Sequence, residues 1–264
     1  MAILSASLLP HSPLLIPEVG KNNSLFLQKT SAAYQKISDQ LKERGVEIVL
    51  VISPHGPNQE NIFVFNTASE FSLSLGSFGF LNKKKISGDP ALTYQLNQTL
   101  KADFPVQQTT VPNLDYGSAI PLYLLKEKNN GLKSIILYNP LGDGETSFRF
   151  GQALGALLIE RPEKIAVIAS GELSHRLKKS SPAGYSPKGT KFDNKIIEYL
   201  NDPQTAKDKL LSLDHKFVKD AGECGLMAIL ILMGILENLK AEAQVLAYQT
   251  DFGIGYLSLD FLLS

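Results

Sequence analysis

The stretch IVLVISPHGP (Ile48–Pro57) decides the fold class, because the apolar run Ile48–Ser53 is followed at once by a turn that carries a histidine. Runs of this kind that alternate with helical periodicity predict buried strands in a layered α/β fold. The other runs are Ile3–Leu9, Ile62–Phe65, Ser134–Tyr138, Ile165–Ala169 and Val245–Tyr248. We therefore predict one α/β/α domain over residues 1–264, with a central sheet that is mostly parallel or mixed.

The segments between these runs predict helices. Ser24–Arg44 has apolar residues near a 3.6-residue period and ends before Gly45, while Asp89-Pro90 supplies an N-cap and a first-turn proline for a helix to about Leu100. Further helices are expected at Ser118–Lys128, Glu145–Ile159, Thr190–Leu200 and Leu226–Leu236. We expect Phe71–Phe80 to add a hairpin or an edge strand, and Lys178–Gly189 to form a loop.

The composition excludes several classes of partner. The 26 Lys and Arg balance the 26 Asp and Glu, so the chain has no excess of positive charge with which to bind nucleic acid or anionic lipid. The single cysteine fits a reducing cytoplasm. The start of the chain is interrupted by prolines and lacks the basic n-region of a signal peptide. The apolar run Leu226–Leu236 is far shorter than a membrane span. We expect a cytoplasmic protein that binds small molecules, with a homodimer as the default oligomer.

Three of the four histidines directly follow predicted strands. His11 lies in Pro10-His11-Ser12-Pro13, His55 in Pro54-His55-Gly56-Pro57, and His175 after Ser170-Gly171-Glu172-Leu173-Ser174. Ligands of open α/β sheets bind at the carboxyl edge of the strands, where these side chains would meet. Imidazole is both a common metal ligand and the default general acid or base. A hydrogen-bonded residue at a strand end is the alternative for each histidine taken alone.

Two histidines and a carboxylate would leave open positions on a divalent metal, as in non-haem iron(II) oxygenases. We predict Glu223 as the third ligand beside His11 and His55, since it lies just before the apolar helix. Cys224 competes for this role, and a thiolate would favour zinc, copper or softer iron chemistry. The alternative for Glu223 is helix capping.

Other groups lie near the predicted site. Glu172 could orient His175, and Tyr116 could bring a phenol to the site from the start of a helix. His215 lies among charged residues, so we expect it on the surface.

Six motifs in order along the chain resemble the LigB-type class III extradiol dioxygenase superfamily, which includes relatives in the Memo group. They are Pro10-His11-Ser12-Pro13, Ser53-Pro54-His55-Gly56, Leu114-Asp115-Tyr116-Gly117 with Pro121-Leu122, Gly171-Glu172-Leu173-Ser174-His175-Arg176-Leu177, Ala183-Gly184-Tyr185-Ser186-Pro187 and Ala221-Gly222-Glu223-Cys224-Gly225.

The resemblance implies that His11 and His55 bind the metal and that His175 is the acid/base. For the third ligand, extradiol enzymes use a glutamate from this region and the Memo group a cysteine, and this chain carries Glu223 next to Cys224. Relatives often have Asp-His-Gly where this chain has Asp115-Tyr116-Gly117, and their histidine is thought to contact substrate or oxygen. At the position of Glu172, relatives usually have Asp.

The resemblance implies iron(II)-dependent cleavage of an aromatic diol or aminophenol by dioxygen, with Tyr116, Glu172 and His175 as catalytic residues and His11, His55 and Glu223 as ligands. Manganese, zinc and copper are the other candidate metals. The alternatives are a Memo-like copper or zinc protein with a redox or scaffolding role, a zinc hydrolase, and a non-catalytic subunit whose site has decayed.

Overall fold

The computed structural model describes residues 2–126, 129 and 131–264. Its centre is an eight-stranded sheet with the order β6-β3-β7-β2-β8-β1-β10-β9. The strands are β1 (Ile3–Leu9), β2 (Ile48–Ser53), β3 (Phe63–Asn66), β6 (Val106–Thr109), β7 (Lys133–Tyr138), β8 (Ile165–Ser170), β9 (Ala241–Gln249) and β10 (Tyr256–Leu263). A separate antiparallel hairpin consists of β4 (Glu70–Leu75) and β5 (Phe80–Ser87).

The sheet is mixed, as the sequence predicted. Strands β1, β8, β2 and β7 are parallel neighbours. Strand β3 pairs antiparallel with β7, and β10 pairs antiparallel with both β1 and β9. The carboxyl ends of the four parallel strands therefore share one edge of the sheet.

The helices are α1 (Pro17–Gly20), α2 (Gln28–Glu43), α3 (Pro90–Leu100), α4 (Tyr116–Leu125), α5 (Gly144–Ile159), α6 (Gly189–Leu200), α7 (Ala206–Leu211), α8 (His215–Ala221) and α9 (Leu226–Leu236). The predicted start of a long helix at Ser24 is a 3-10 segment, Lys21–Leu27, which leads into α2. Lys128, the predicted end of the α4 helix, lies outside the described residues.

Two apolar cores form the layers of the fold. Alternate residues of β2 point to opposite faces, so Leu50 and Ile52 pack with α3, α5, α6, α7 and α9, whereas Val49 and Val51 pack with α2, α4 and the hairpin. This arrangement is the predicted α/β/α layering. Among the described residues, no helix is both long and apolar enough to cross a membrane.

Helices α5 and α9 pack unusually closely. A Cβ atom on Gly234 would lie 2.1 Å from the carbonyl oxygen of Phe148, so the two backbones touch where a larger residue would separate them. This contact holds the second half of α9 against α5, and Cys224 lies just before the start of the same helix.

Candidate metal centre

The structure brings the histidines of three strand ends together. His11 follows β1, His55 follows β2, and the Nε2 atoms of these two residues lie 3.0 Å apart. His175 follows β8, the strand between β1 and β2 in the sheet. The predicted convergence at the carboxyl edge is therefore what the structure shows, because β1, β2 and β8 are parallel and adjacent.

Cys224 is the third group at this position. Its Sγ atom lies 3.6 Å from Nε2 of His11 and 3.6 Å from Nε2 of His175. The ligand atoms of His11, His55 and Cys224, here named the donor cluster, all lie within 4.8 Å of one another. A second group within the same limit consists of Glu172, His175 and Cys224, so the thiol belongs to both.

Two glycines let the chain bring Cys224 to the strand ends. A Cβ atom on Gly171 would lie 2.4 Å from Cα of Gly225, so any side chain there would push α9 away from β8. The approach allows the Cys224 amide to donate to the Glu172 carbonyl at 3.3 Å, and the Glu172 amide to donate to Sγ of Cys224 at 3.4 Å. The contact between the two glycine backbones and these two hydrogen bonds therefore fix the position of the thiol.

Glu223 lies outside both groups, unlike the sequence prediction. Its carboxylate accepts a hydrogen bond from the backbone N–H of Leu226 at 2.6 Å and so caps the start of α9. Burial raises the pKa of Glu223 to about 7. The unsatisfied N–H groups at a helix start attract a carboxylate, whereas Sγ of the next residue, Cys224, lies 3.6 Å from Nε2 of His11. The structure thus brings the thiol, and not this carboxylate, to His11 and His55.

Hydrogen bonds define the tautomer of His11. The Ser170 hydroxyl donates to the Gly117 carbonyl at 2.6 Å, so its single hydrogen is already used. The same oxygen lies 2.9 Å from Nδ1 of His11 and must accept from it. Nε2 of His11 therefore carries a lone pair that points into the donor cluster. Sequence reasoning did not single out Ser170, although this residue opens the segment before His175.

Burial keeps both imidazoles of the donor cluster neutral. It lowers the pKa of His11 and of His55 to about 4, despite the opposing effect of the Glu172 charge. Neutral imidazole is the form that binds metals. Burial also raises the pKa of the Cys224 thiol, so a bound metal would have to displace its proton.

Glu172 and His175 form a pair beside the donor cluster, with Oε2 of Glu172 3.3 Å from Nε2 of His175. Burial would lower the pKa of His175, but the hydrogen bond and the charge of Glu172 raise it. Burial would likewise raise the pKa of Glu172, but the imidazoles of His11, His175 and His55 lower it. The predicted orientation of His175 by Glu172 agrees with this contact.

Tyr116 lies against the histidines. Its ring stacks on His55 with centroids 4.3 Å apart and meets His11 edge-on at 5.4 Å. Asp115, the N-cap of α4, holds this position by accepting hydrogen bonds from the Ser53 hydroxyl at 2.6 Å and from the Ser118 amide at 3.0 Å. Burial raises the pKa of Tyr116, so its phenol stays protonated at neutral pH.

A cleft of about 550 Å³ opens next to the donor cluster. Cys224, Glu223 and Asn139 line it, together with Pro54, which precedes His55. His215 is exposed, as predicted, but it also lies on the wall of this cleft. The volume is in the range of small-molecule sites.

Comparisons with known proteins identify the family of this chain. A family model described as the catalytic LigB subunit of aromatic ring-opening dioxygenase matches residues 5–257. Protein CA_C1420 of Clostridium acetobutylicum is 29% identical over 271 aligned residues, which cover 97% of this chain and 57% of that protein. The 3,4-dihydroxyphenylacetate 2,3-dioxygenase of Escherichia coli is 25% identical over 181 residues, 65% of each protein.

This chain thus spans less than two thirds of the length of either relative. The crystal structure of uncharacterized protein JW3007 from Escherichia coli K12 shares the fold, with a TM-score of 0.69 at 19% identity over 97% of this chain and 99% of that one. Because the family model covers residues 5–257, the chain belongs to the LigB family of aromatic ring-opening dioxygenases.

Proposed function

We propose that this protein is an extradiol-type dioxygenase that uses iron(II) to open the ring of an aromatic diol or aminophenol with dioxygen. The observation that carries the proposal is the donor cluster beside the Glu172–His175 pair. Family membership and the dioxygenase relative from Escherichia coli support the same reaction class. Three protein donors leave open positions on a metal for substrate and dioxygen, and the neighbouring pair can move protons.

The donor cluster fits a transition metal. His11 presents a lone pair because of its bond to Ser170, burial keeps His55 neutral, and Cys224 adds a sulfur donor. We propose that these three residues hold the metal in place of the predicted set with Glu223. When bound, iron(II) would bind both the substrate, through its two neighbouring hydroxyl or amino groups, and dioxygen, and would transfer charge between them.

The residues around the cluster handle protons and orientation. His175 takes a proton from the ring hydroxyl or amino group, and the Glu172 carboxylate, 3.3 Å from Nε2 of His175, accepts a hydrogen bond from the resulting imidazolium and stabilises it. Tyr116 covers His55 and presents a neutral phenol to the substrate. Both oxygen atoms of dioxygen enter the product when the carbon–carbon bond beside the diol breaks, so no external reductant is required.

A second function is favoured by Cys224. A donor set of two imidazoles and a thiolate is softer than two imidazoles and a carboxylate, and soft ligands select copper or zinc. The same residues would then belong to a Memo-like metal-binding protein with a redox or scaffolding role and without ring cleavage.

Anaerobic reconstitution tests the two functions against each other. The metal-free protein is loaded with iron(II), manganese(II), zinc(II) or copper(I) and mixed with catechol or 2-aminophenol under labelled dioxygen. We expect the iron(II)-loaded protein to take up oxygen faster than the protein loaded with any other metal. Its ring-opened product should carry both labelled oxygen atoms. The His55→Ala protein, treated in the same way, serves as the metal-binding control. Tight copper or zinc binding without oxygen uptake for any diol or aminophenol would support the Memo-like function instead.

A further inference from the structure

A second compartment adjoins the cleft at the donor cluster. It has a volume of about 440 Å³ and is bounded by the start of α5, by α7 and α8, and by the first turns of α9. The cleft and this side compartment share the four lining residues Gly142, His215, Val218 and Met227. The two spaces therefore lie side by side, so a substituent on a molecule bound beside Cys224 would extend towards the second one.

Helix α9 defines the direction of this extension. Cys224 lines the cleft, Met227 lines both spaces, and Leu230 lines the side compartment. Met227 and Leu230 are three positions apart in the helix, so they are neighbours on one side of its start, and Cys224 lies just before this start. The buried Ser147 hydroxyl donates to Sδ of Met227 at 3.7 Å and orients the side chain between the two spaces.

The polarity changes along this direction. Near Cys224 the cleft has the buried amide of Asn139, whose Oδ1 has no hydrogen-bond partner within the described part of the chain. The inner wall of the side compartment is aliphatic, with Leu210, Leu213 and Leu230. A polar ring edge therefore matches the cleft and an apolar group matches the compartment.

Two acidic residues on the wall of the side compartment argue against an acidic substituent. Asp143 and Glu145, at the start of α5, line the side compartment and are exposed. A carboxylate on the substrate would meet two like charges there, which costs free energy. A neutral substituent meets no such repulsion.

We propose that the side compartment binds a neutral apolar substituent of the substrate, such as an alkyl chain on the aromatic ring. This inference rests on the proposed function for the position of the ring at the donor cluster. It assigns Met227, Leu213 and Leu230 as residues that select the substrate by the length of its apolar group.

Binding of para-alkylphenols tests the compartment without any turnover. Calorimetry with para-methylphenol, para-butylphenol and para-hexylphenol is expected to show an affinity gain of about fourfold per methylene until the compartment is filled. Leu213→Gln should remove most of this gain, and Leu213→Trp should block the longer chains by filling the space. Val245→Gln is the matched control, because Val245 is an apolar residue on the edge strand β9, 40% exposed and outside both spaces. It should keep the gain.

Circular dichroism melting confirms that each variant is folded. Equal affinity for all three phenols in the wild-type protein would overturn the proposal, and so would a chain-length gain that both folded Leu213 variants retain.

Turnover of alkylcatechols separates this inference from the proposed function. Catechol turnover with no gain in kcat/KM for butyl or hexyl derivatives would overturn the side compartment and leave the dioxygenase proposal standing. Chain-length-dependent phenol binding that Leu213→Gln removes, in a protein that turns over no diol, would support the compartment and contradict the dioxygenase.

Discussion

The Nε2 atoms of His11 and His55 lie 3.0 Å apart, although 44 positions separate the two residues in the chain. Because Ser170 leaves Nε2 of His11 with a lone pair, this contact requires a proton on Nε2 of His55 when no metal is bound. A metal ion would replace that proton. The His55 proton can move to Nδ1, since neutral imidazole is the form that binds metals. Metal binding should therefore release a proton from the Cys224 thiol, and the measured affinity should rise with pH.

Removal of either histidine should abolish stoichiometric metal uptake. His11→Ala and His55→Ala each delete one of three donors, and the remaining two groups cannot hold a divalent ion tightly. The variants should still unfold cooperatively, since the imidazoles contribute little to the two apolar cores. Metal analysis after anaerobic loading checks the prediction. Full occupancy in both variants would exclude these ligands.

Ser170→Ala should lower metal affinity by about 10- to 100-fold, because the hydroxyl fixes the tautomer of His11. Competition with a chelator measures the loss. Ser134→Ala is a matched control, since Ser134 is a fully buried strand serine whose hydroxyl has no partner in the described part of the chain. Equal affinity in the two variants would mean that Ser170 does not orient the ligand.

His175→Ala should keep the metal and lose catalytic rate by about 10²- to 10⁴-fold, the usual contribution of general acid/base catalysis. The assay is oxygen uptake with whichever diol or aminophenol proves to be turned over, together with metal analysis of the same sample. Since Nε2 of His175 lies 3.6 Å from Sγ of Cys224, loss of the metal would identify His175 as a ligand. An unchanged rate would remove it from the mechanism.

Asp193 should make stability depend on pH. This buried carboxyl accepts hydrogen bonds from the Ser174 amide at 2.8 Å and the Tyr248 hydroxyl at 2.7 Å, and burial raises its pKa from 3.8 to about 6. A pKa that is higher in the folded state stabilises the fold below pH 3.8, and this contribution is lost as the pH rises through about 6.

In Asp193→Asn the side chain resembles the protonated acid and cannot ionise, so the variant does not lose this stability as the pH rises. Relative to the variant, the wild-type free energy of unfolding should fall by up to about 3 kcal/mol across that pH range. Urea unfolding at several pH values measures the difference between the two proteins. A difference that does not change with pH would show that Asp193 titrates normally.

The sequence predicted the parts of the site that depend on local pattern. The runs Ile3–Leu9 and Ile48–Ser53 are strands β1 and β2 with the predicted bounds, and they deliver His11 and His55 to one edge. Strand β10 was not predicted, because its buried Ser258 and Asp260 interrupt the apolar pattern. The Ser7 hydroxyl, from the neighbouring strand β1, donates to Asp260 at 3.2 Å, a partner that only the fold supplies.

The choice between Glu223 and Cys224 could not be predicted for a similar reason. Both residues precede α9, and either side chain could have turned inward. The structure separates them through the cap on the Leu226 amide and through the contact of Gly171 with Gly225, two residues 54 positions apart in the chain. Neither interaction leaves a periodic signal in the sequence.

The most direct test of the account is the near-ultraviolet spectrum of the cobalt(II)-loaded protein. Sulfur coordination by Cys224 predicts a thiolate-to-cobalt charge-transfer band in the wild-type protein and in Glu223→Gln, with bound cobalt in both. Cys224→Ser should lose the band and most of the affinity. A wild-type complex without the band, with cobalt binding lost in Glu223→Gln and kept in Cys224→Ser, would contradict the account and make Glu223 the third ligand.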